Sequence, residues 1–120
     1  MIVNTEDLAR NYFNDEVSLD SRGTTDTTQS WEVMESLIDT EPRAAWNVIK
    51  SALQLCSSSI EVARIGSGPL ETLLSRHAET IFVEVLKEAR VDSTVRDAVR
   101  YATAAELPND MQVQLDALLR

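Results

Sequence analysis

Apolar residues recur at helical spacing along almost the whole chain, which limits it to an all-helical fold. The clearest segment follows Pro42, where Ala45, Ile49, Ala52 and Leu53 lie on one face at i, i+4, i+7 and i+8. No segment alternates apolar and polar residues as a half-buried strand does. We predict an all-α protein, either a compact bundle or a short αα (HEAT-like) stack of seven to eight helices. Because no internal repeat is visible, the bundle is favoured.

Glycine, proline and short polar stretches mark the ends of these helices. The predicted helices cover residues 5–16, 30–38, 42–56, 60–65, 69–77, 78–90, 92–104 and 108–119. Thr5 and Asp92 are suited to cap two of them, and Pro42 fits a first helical turn, with Thr40 or Glu41 as its cap. The polar stretch 18–30 is predicted to be a loop.

Length and composition favour one domain, residues 1–120. A chain of 120 residues that is 43% hydrophobic can bury a core without metal or disulfide support. Within it we distinguish an acidic N-terminal third (1–41), a core (42–104) and a C-terminal helix (105–120). The single cysteine excludes an internal disulfide, and no leader-like or membrane-length apolar run is present. We therefore expect a cytoplasmic protein without membrane association.

Negative charge is concentrated at the N-terminal end. The formal charge of the chain is −9; residues 1–41 hold ten acidic residues against two basic ones, whereas the remainder is almost balanced. Nucleic-acid affinity is built largely from Lys and Arg contacts to phosphates, so no nucleic-acid partner is expected. A basic protein is the partner that this charge favours.

The stretch RIGSGPLETLL, residues 64–74, permits two interpretations. A phosphate-binding loop would use Gly66 and Gly68, but a third glycine is missing and Glu71 would repel the anion. A joint between helices explains more residues: Gly66 in the left-handed conformation ends one helix, Gly68 caps the next, Pro69 takes its first position and Glu71 its third. We favour the joint, and expect a side chain at Gly68 to strain the turn if its φ is positive.

Few residues suggest catalysis, and we expect neither an enzyme nor a bound cofactor or metal. His77 is the only histidine, and Cys56 is placed on the buried face of its helix, where cysteine behaves as a small apolar residue. Glu84 and Glu88, spaced i, i+4, are interpreted as a solvated face.

The block from Gly66 to Val99, GSGPLETLLSRHAETIFVEVLKEARVDSTVRDAV, resembles a bacterial family known only as a domain of unknown function. The resemblance rests on the segments Ser67–Leu74 (SGPLETLL), Ala89–Asp92 (ARVD) and Pro42–Trp46 (PRAAW), and covers about residues 30–100. It implies a small helical bacterial protein and brings no catalytic residues. Ala78 departs from the glycine common in that family. Small acidic helical proteins of this kind also occur as immunity partners of secreted toxins.

Charge and resemblance together predict an immunity protein that binds a basic toxin domain and occludes its active site. The contributing surface is predicted to consist of Asp7, Asp15, Glu16, Asp20, Asp26, Glu32, Glu35 and Asp39. One alternative is that these acidic residues only promote solubility. Another is a helical adaptor or regulatory module without catalytic activity, which binds through an apolar patch around Trp31 and Trp46 and is insensitive to salt.

Overall fold

Helices account for nearly all of the chain that the computed structural model describes, residues 4–17, 27–102 and 106–120. The elements are α1 (Thr5–Tyr12), a first π-helical turn (Phe13–Val17), α2 (Thr27–Thr40), α3 (Pro42–Leu53), α4 (Ser59–Ile65), a second π-helical turn (Gly66–Leu70), α5 (Glu71–Val91), α6 (Ser93–Tyr101) and α7 (Asn109–Leu119). No strand occurs in the described ranges, so the all-α prediction is confirmed. None of these helices is long and apolar enough to cross a bilayer.

Helix α3 lies at the centre of the packing. It contacts α1, α2, α4, α5 and α6, whereas in a linear stack each unit touches only its neighbours. The described residues therefore form a bundle around α3 and not a HEAT-like stack. The radius of gyration, 13.6 Å, is about the value expected for a compact fold of this length.

The core takes its residues from every helix of this bundle. α5 and α3 supply the largest shares. In α3 the apolar positions recur at helical spacing, and Trp46 lies beside them on the same buried side. The most deeply buried large side chains are Trp46, Met34, Ile38, Ile49, Leu53, Ile65, Leu70, Leu73, Leu74, Ile81, Val17 and Val48. Helix α7 buries only Leu115 fully and packs on α5, so it is a peripheral element.

Helix starts follow the predicted signals with some changes of residue. The cap of α1 is Asn4, whose Oδ1 accepts from the backbone N–H of Glu6 at 2.9 Å, so the prediction of Thr5 was wrong by one position. Glu41 stands before Pro42 without a side-chain cap bond. Asp92 caps α6 as predicted, accepting from the N–H groups of Thr94 and Val95.

Several helix ends differ from their predicted positions. α2 begins at Thr27, inside the stretch predicted as a loop, and residues 18–26 of that stretch lie outside the described ranges. α3 ends at Leu53, before Cys56. The two helices predicted over 69–77 and 78–90 form one helix, α5, bent at His77 (φ −135°, ψ 35°), so this joint is a kink rather than a break.

The Gly-Ser-Gly-Pro segment joins two helices, as predicted, but its glycines act differently. Gly66 is right-handed helical (φ −62°, ψ −48°) and Gly68 has φ −104°, so neither residue needs a left-handed conformation. The chain bends at Gly68, and the buried Pro69 starts the next turn. Glu71 makes no bond to the N–H of Gly68; instead the Thr72 hydroxyl donates to the Gly68 carbonyl at 3.1 Å.

Gly66 is required by close packing between helices. A Cβ atom built at Gly66 would overlap the backbone carbonyl of Ala98 on α6 and would lie 2.8 Å from Cβ of Tyr101. At Gly68 the nearest neighbour of such an atom would be the Tyr12 hydroxyl at 3.8 Å, an ordinary contact. Helix α6 can therefore approach the end of α4 this closely only because residue 66 has no side chain.

Candidate functional site

The described residues of the predicted acidic surface lie on three elements that touch one another. α1, the first π-helical turn and α2 are in mutual contact, and they carry all the described members of the predicted surface. Asp20 and Asp26 lie outside the described residues. Asp7 is exposed on α1, with one Oδ 3.9 Å from the guanidinium of Arg10, its neighbour one turn on. Asp7 is thus partly balanced by charge on its own helix.

Glu32, Glu35 and Asp39 form what we call the acidic face of α2. Their spacing of i, i+3 and i+7 places them on one side of the helix, whereas Met34 and Ile38 lie on another side, which is buried. Glu32 and Asp39 are exposed and Glu35 is half-buried. The apolar side of α2 fixes the helix on the bundle and so holds this face outward.

Only one member of the acidic face of α2 is neutralised by a described basic residue. The Arg76 guanidinium on α5 donates to Asp39 at 2.7 Å, and both side chains are about half exposed. Glu32 and Glu35 make no ion pair within the described part of the chain. These two carboxylates therefore keep their charge available to a partner.

Asp15 and Glu16 lie on the first π-helical turn, where both are half-buried. The turn is attached to α4 because the Arg64 guanidinium donates to the Val17 carbonyl at 2.9 Å. Burial, and secondarily the adjacent Asp15 carboxylate, raises the pKa of Glu16 above its usual value. Asp15 and Glu16 therefore repel each other electrostatically on this turn.

An aromatic contact underlies these acidic elements. The rings of Tyr12 and Trp31 lie 6.5 Å apart and are tilted by 42°, which joins α1 to α2. Tyr12 is buried, and burial followed by the nearby Glu16 charge raises the pKa of its phenol well above the usual value. Trp31 is half-buried. The relative position of α1 and α2 is therefore fixed in part by this pair.

Replacing Glu16 with Gln is expected to raise the melting temperature slightly at pH 7. The raised pKa means that the native state binds the proton more tightly than the unfolded chain does, so the ionised carboxylate disfavours folding. The advantage of the variant should shrink as the pH falls through that pKa, and should vanish below the usual value of 4.5. Thermal unfolding at several pH values measures this difference in melting temperature, with Glu106→Gln as a control at an exposed position. A lower melting temperature at pH 7 for Glu16→Gln alone would contradict the expectation.

The residues considered for catalysis are not assembled into one site. The sequence placed Cys56 on the buried face of its helix; in the structure it lies beyond the end of α3 and is half-buried, with Sγ 3.7 Å from the Ala52 carbonyl oxygen. Burial, and next the Glu61 charge, raises the pKa of its thiol to about 11, so the reactive thiolate is scarce at neutral pH. His77 lies at the bend of α5. Within the described ranges, no three His, Cys, Asp or Glu residues are placed to hold a metal ion.

Buried Glu61 is a structural residue that the sequence interpretation missed. Its carboxylate accepts from the backbone N–H of Ser57 at 2.8 Å and from the Ser57 hydroxyl at 3.1 Å. Ser58 Oγ in turn accepts from the N–H of Glu61 at 3.3 Å. The spacing Ser58-x-x-Glu61 matches the capping-box pattern and could have revealed this arrangement.

The adaptor alternative places an apolar surface patch around Trp31 and Trp46, but Trp46 is not at the surface. Trp46 is only 2% exposed and belongs to the core, because it lies on the side of α3 that faces the bundle. Lys50 lies 5.4 Å from the centre of its ring. An adaptor function would need another surface.

The described residues form a small all-helical protein, and ten of the twenty acidic residues of the chain precede residue 42. The chain belongs to a family of unknown function (DUF6869), whose sequence profile matches residues 19–113. No curated protein matches the chain, and no solved structure matches it.

Proposed function

We propose that this chain is an immunity protein, a binder that neutralises a bacterial toxin domain by covering its active site. The observation that carries the proposal is the acidic face of α2, where Glu32 and Glu35 are held outward by a buried apolar side and are not neutralised by a described basic residue. A basic surface is the complement to such a face. The resemblance of residues 67–74 to a bacterial family and the acidic composition point in the same direction.

Electrostatics would act here mainly on the rate of association. Carboxylates on α1, the first π-helical turn and α2 set up a negative potential that draws a basic partner towards this side of the molecule. Salt screens such attraction over about 10 Å at 0.1 M ionic strength, so association should slow as salt is added. Asp39 should contribute least to this attraction, because it already forms an ion pair with Arg76.

The partner is proposed to be a basic toxin domain encoded beside this chain, and the meeting place is the cytoplasm of a bacterium. Co-expression with the product of an adjacent reading frame that carries a toxin domain tests this directly. We expect the two chains to co-purify as a complex, and cells that make the toxin domain to grow only when this chain is present. Failure to bind or to protect would contradict the proposal. Binding that is unaffected by salt would instead favour the adaptor alternative.

A further inference from the structure

A groove of about 590 Å³ lies between the start of α4 and the outer side of α6, within the size range of small-ligand sites. One wall is formed by Ser57, in the turn before α4, and by Ser59, the first residue of α4. The other wall is α6, which contributes Thr94, Asp97, Arg100 and Tyr101. Helix α2 makes few or no contacts with α4 and α6, the two helices that border the groove. The groove is therefore separate from the acidic face of α2.

The charges in this groove balance each other. Asp97 and Arg100 are the charged residues that line it, and their Oδ1 and Nη1 atoms lie 3.5 Å apart. An anionic ligand would meet the Asp97 carboxylate, and a cationic ligand would meet the Arg100 guanidinium. Neither kind of ion has a net attraction here, which favours a neutral ligand.

Five of the nine residues that line the groove carry a hydroxyl group: Ser57, Ser58, Ser59, Thr94 and Tyr101. The Ser57 hydroxyl donates a hydrogen bond to the buried Glu61 carboxylate, so its oxygen remains available as an acceptor. Ser59, Thr94 and Tyr101 add hydroxyls that can donate or accept. Asp97 offers acceptors and Arg100 offers donors, because each uses only part of its capacity in their long ion pair.

The groove also exposes apolar surface, to which Tyr101 contributes an aromatic ring. Val62 is almost fully buried, whereas Tyr101 is 42% exposed and brings a ring face together with a hydroxyl. A ligand with many hydroxyls and one weakly polar face would match this composition.

From this arrangement we infer that the groove between α4 and α6 is a binding site for a neutral polyhydroxylated ligand of the saccharide class. Asp97 would accept hydrogen bonds from two neighbouring ligand hydroxyls, and Arg100 and Thr94 would donate to ligand oxygens. The Tyr101 ring would cover the C–H face of the sugar. This inference does not depend on the proposed toxin partner, because the site lies on other helices.

Titration of the isotope-labelled full chain with D-glucose and with N-acetyl-D-glucosamine, followed by amide NMR shifts, tests the inference. We expect saturable shifts at Ser59, Thr94 and Tyr101 with at least one sugar at concentrations up to about 50 mM. Asp97→Asn and Tyr101→Phe keep the shape of the groove, and each should weaken that binding by up to about tenfold, because each removes a hydrogen-bonding group. Asp116→Asn on α7 should leave it unchanged.

Two results would overturn the inference. One is the absence of saturable shifts with both sugars in a chain whose spectrum shows it to be folded. The other is saturable binding of inorganic phosphate or of free arginine at the same amides, because the groove would then select charge. Since no toxin enters this experiment, its failure would leave the immunity proposal intact, and success would not support that proposal.

Discussion

Gly66→Ala is expected to lower the free energy of unfolding by about 3 kcal/mol, the upper part of the range for an overpacked core. The added methyl group would overlap the carbonyl oxygen of Ala98, a backbone atom that cannot turn aside as a flexible side chain can. It would also press on Cβ of Tyr101. To relieve the overlap, α6 would have to move away from the end of α4, and the buried residues Val95, Ala98 and Val99 would lose contacts.

Urea unfolding of the purified variant, followed by far-ultraviolet circular dichroism, measures this loss. Gly68→Ala is the matched control, because it makes the same chemical change two residues away, where the new atom meets only the Tyr12 hydroxyl at 3.8 Å. We expect the control to lose clearly less stability than Gly66→Ala. Equal losses, or a greater loss at Gly68, would contradict this assignment of the close approach.

Local signals in the sequence predicted most of the fold. Helical spacing identified α3, and Asp92 and Pro42 marked helix starts, because caps and first turns depend on a few neighbouring residues. The joint at the Gly-Ser-Gly-Pro segment was also predictable. The length of α2 was not, because its first turn, from Thr27 to Ser30, is polar and resembles a loop in composition.

The role of Gly66 could not be predicted from the neighbouring residues alone. A glycine after a helix commonly takes a left-handed conformation, and the sequence alone favoured this for Gly66. Its true constraint is the carbonyl of Ala98, more than thirty positions along the chain. Such a contact depends on how helices pack, and no spacing rule within the segment contains it.

The candidate site was predictable in charge but not in detail. Composition placed half of the acidic residues in the first third of the chain, and α2 presents three of these on one side. Two details depend on contacts between distant segments of the chain. They are the ion pair between Asp39 and Arg76 and the hydrogen bond by which Arg64 holds the first π-helical turn. The groove between α4 and α6 is likewise made of two segments that the sequence does not connect.

Replacing both Glu32 and Glu35 with Lys is expected to weaken binding to a basic toxin partner by about 100-fold. Both carboxylates lack a described ion pair, so reversal removes two attractive charges and introduces two repulsive ones without breaking an internal contact. The matched control is the double variant Glu106→Lys and Asp116→Lys. It changes the net charge by the same amount, but its two positions lie just before and within α7, which packs on α5. Stability should change little in either variant, because the replaced side chains contribute little to the core.

The most direct test of the proposed function is the dissociation constant of the complex between this chain and the toxin domain encoded beside it. It should be measured for the wild type and both double variants at about 50 mM and about 500 mM salt. We expect a large loss of affinity for the variant with Lys at positions 32 and 35 and a much smaller loss of affinity for the control. The difference in affinity between the two variants should narrow at high salt. Equal affinities for the two variants at low salt would contradict the proposed function, because the charge on the acidic face of α2 would then have no specific role.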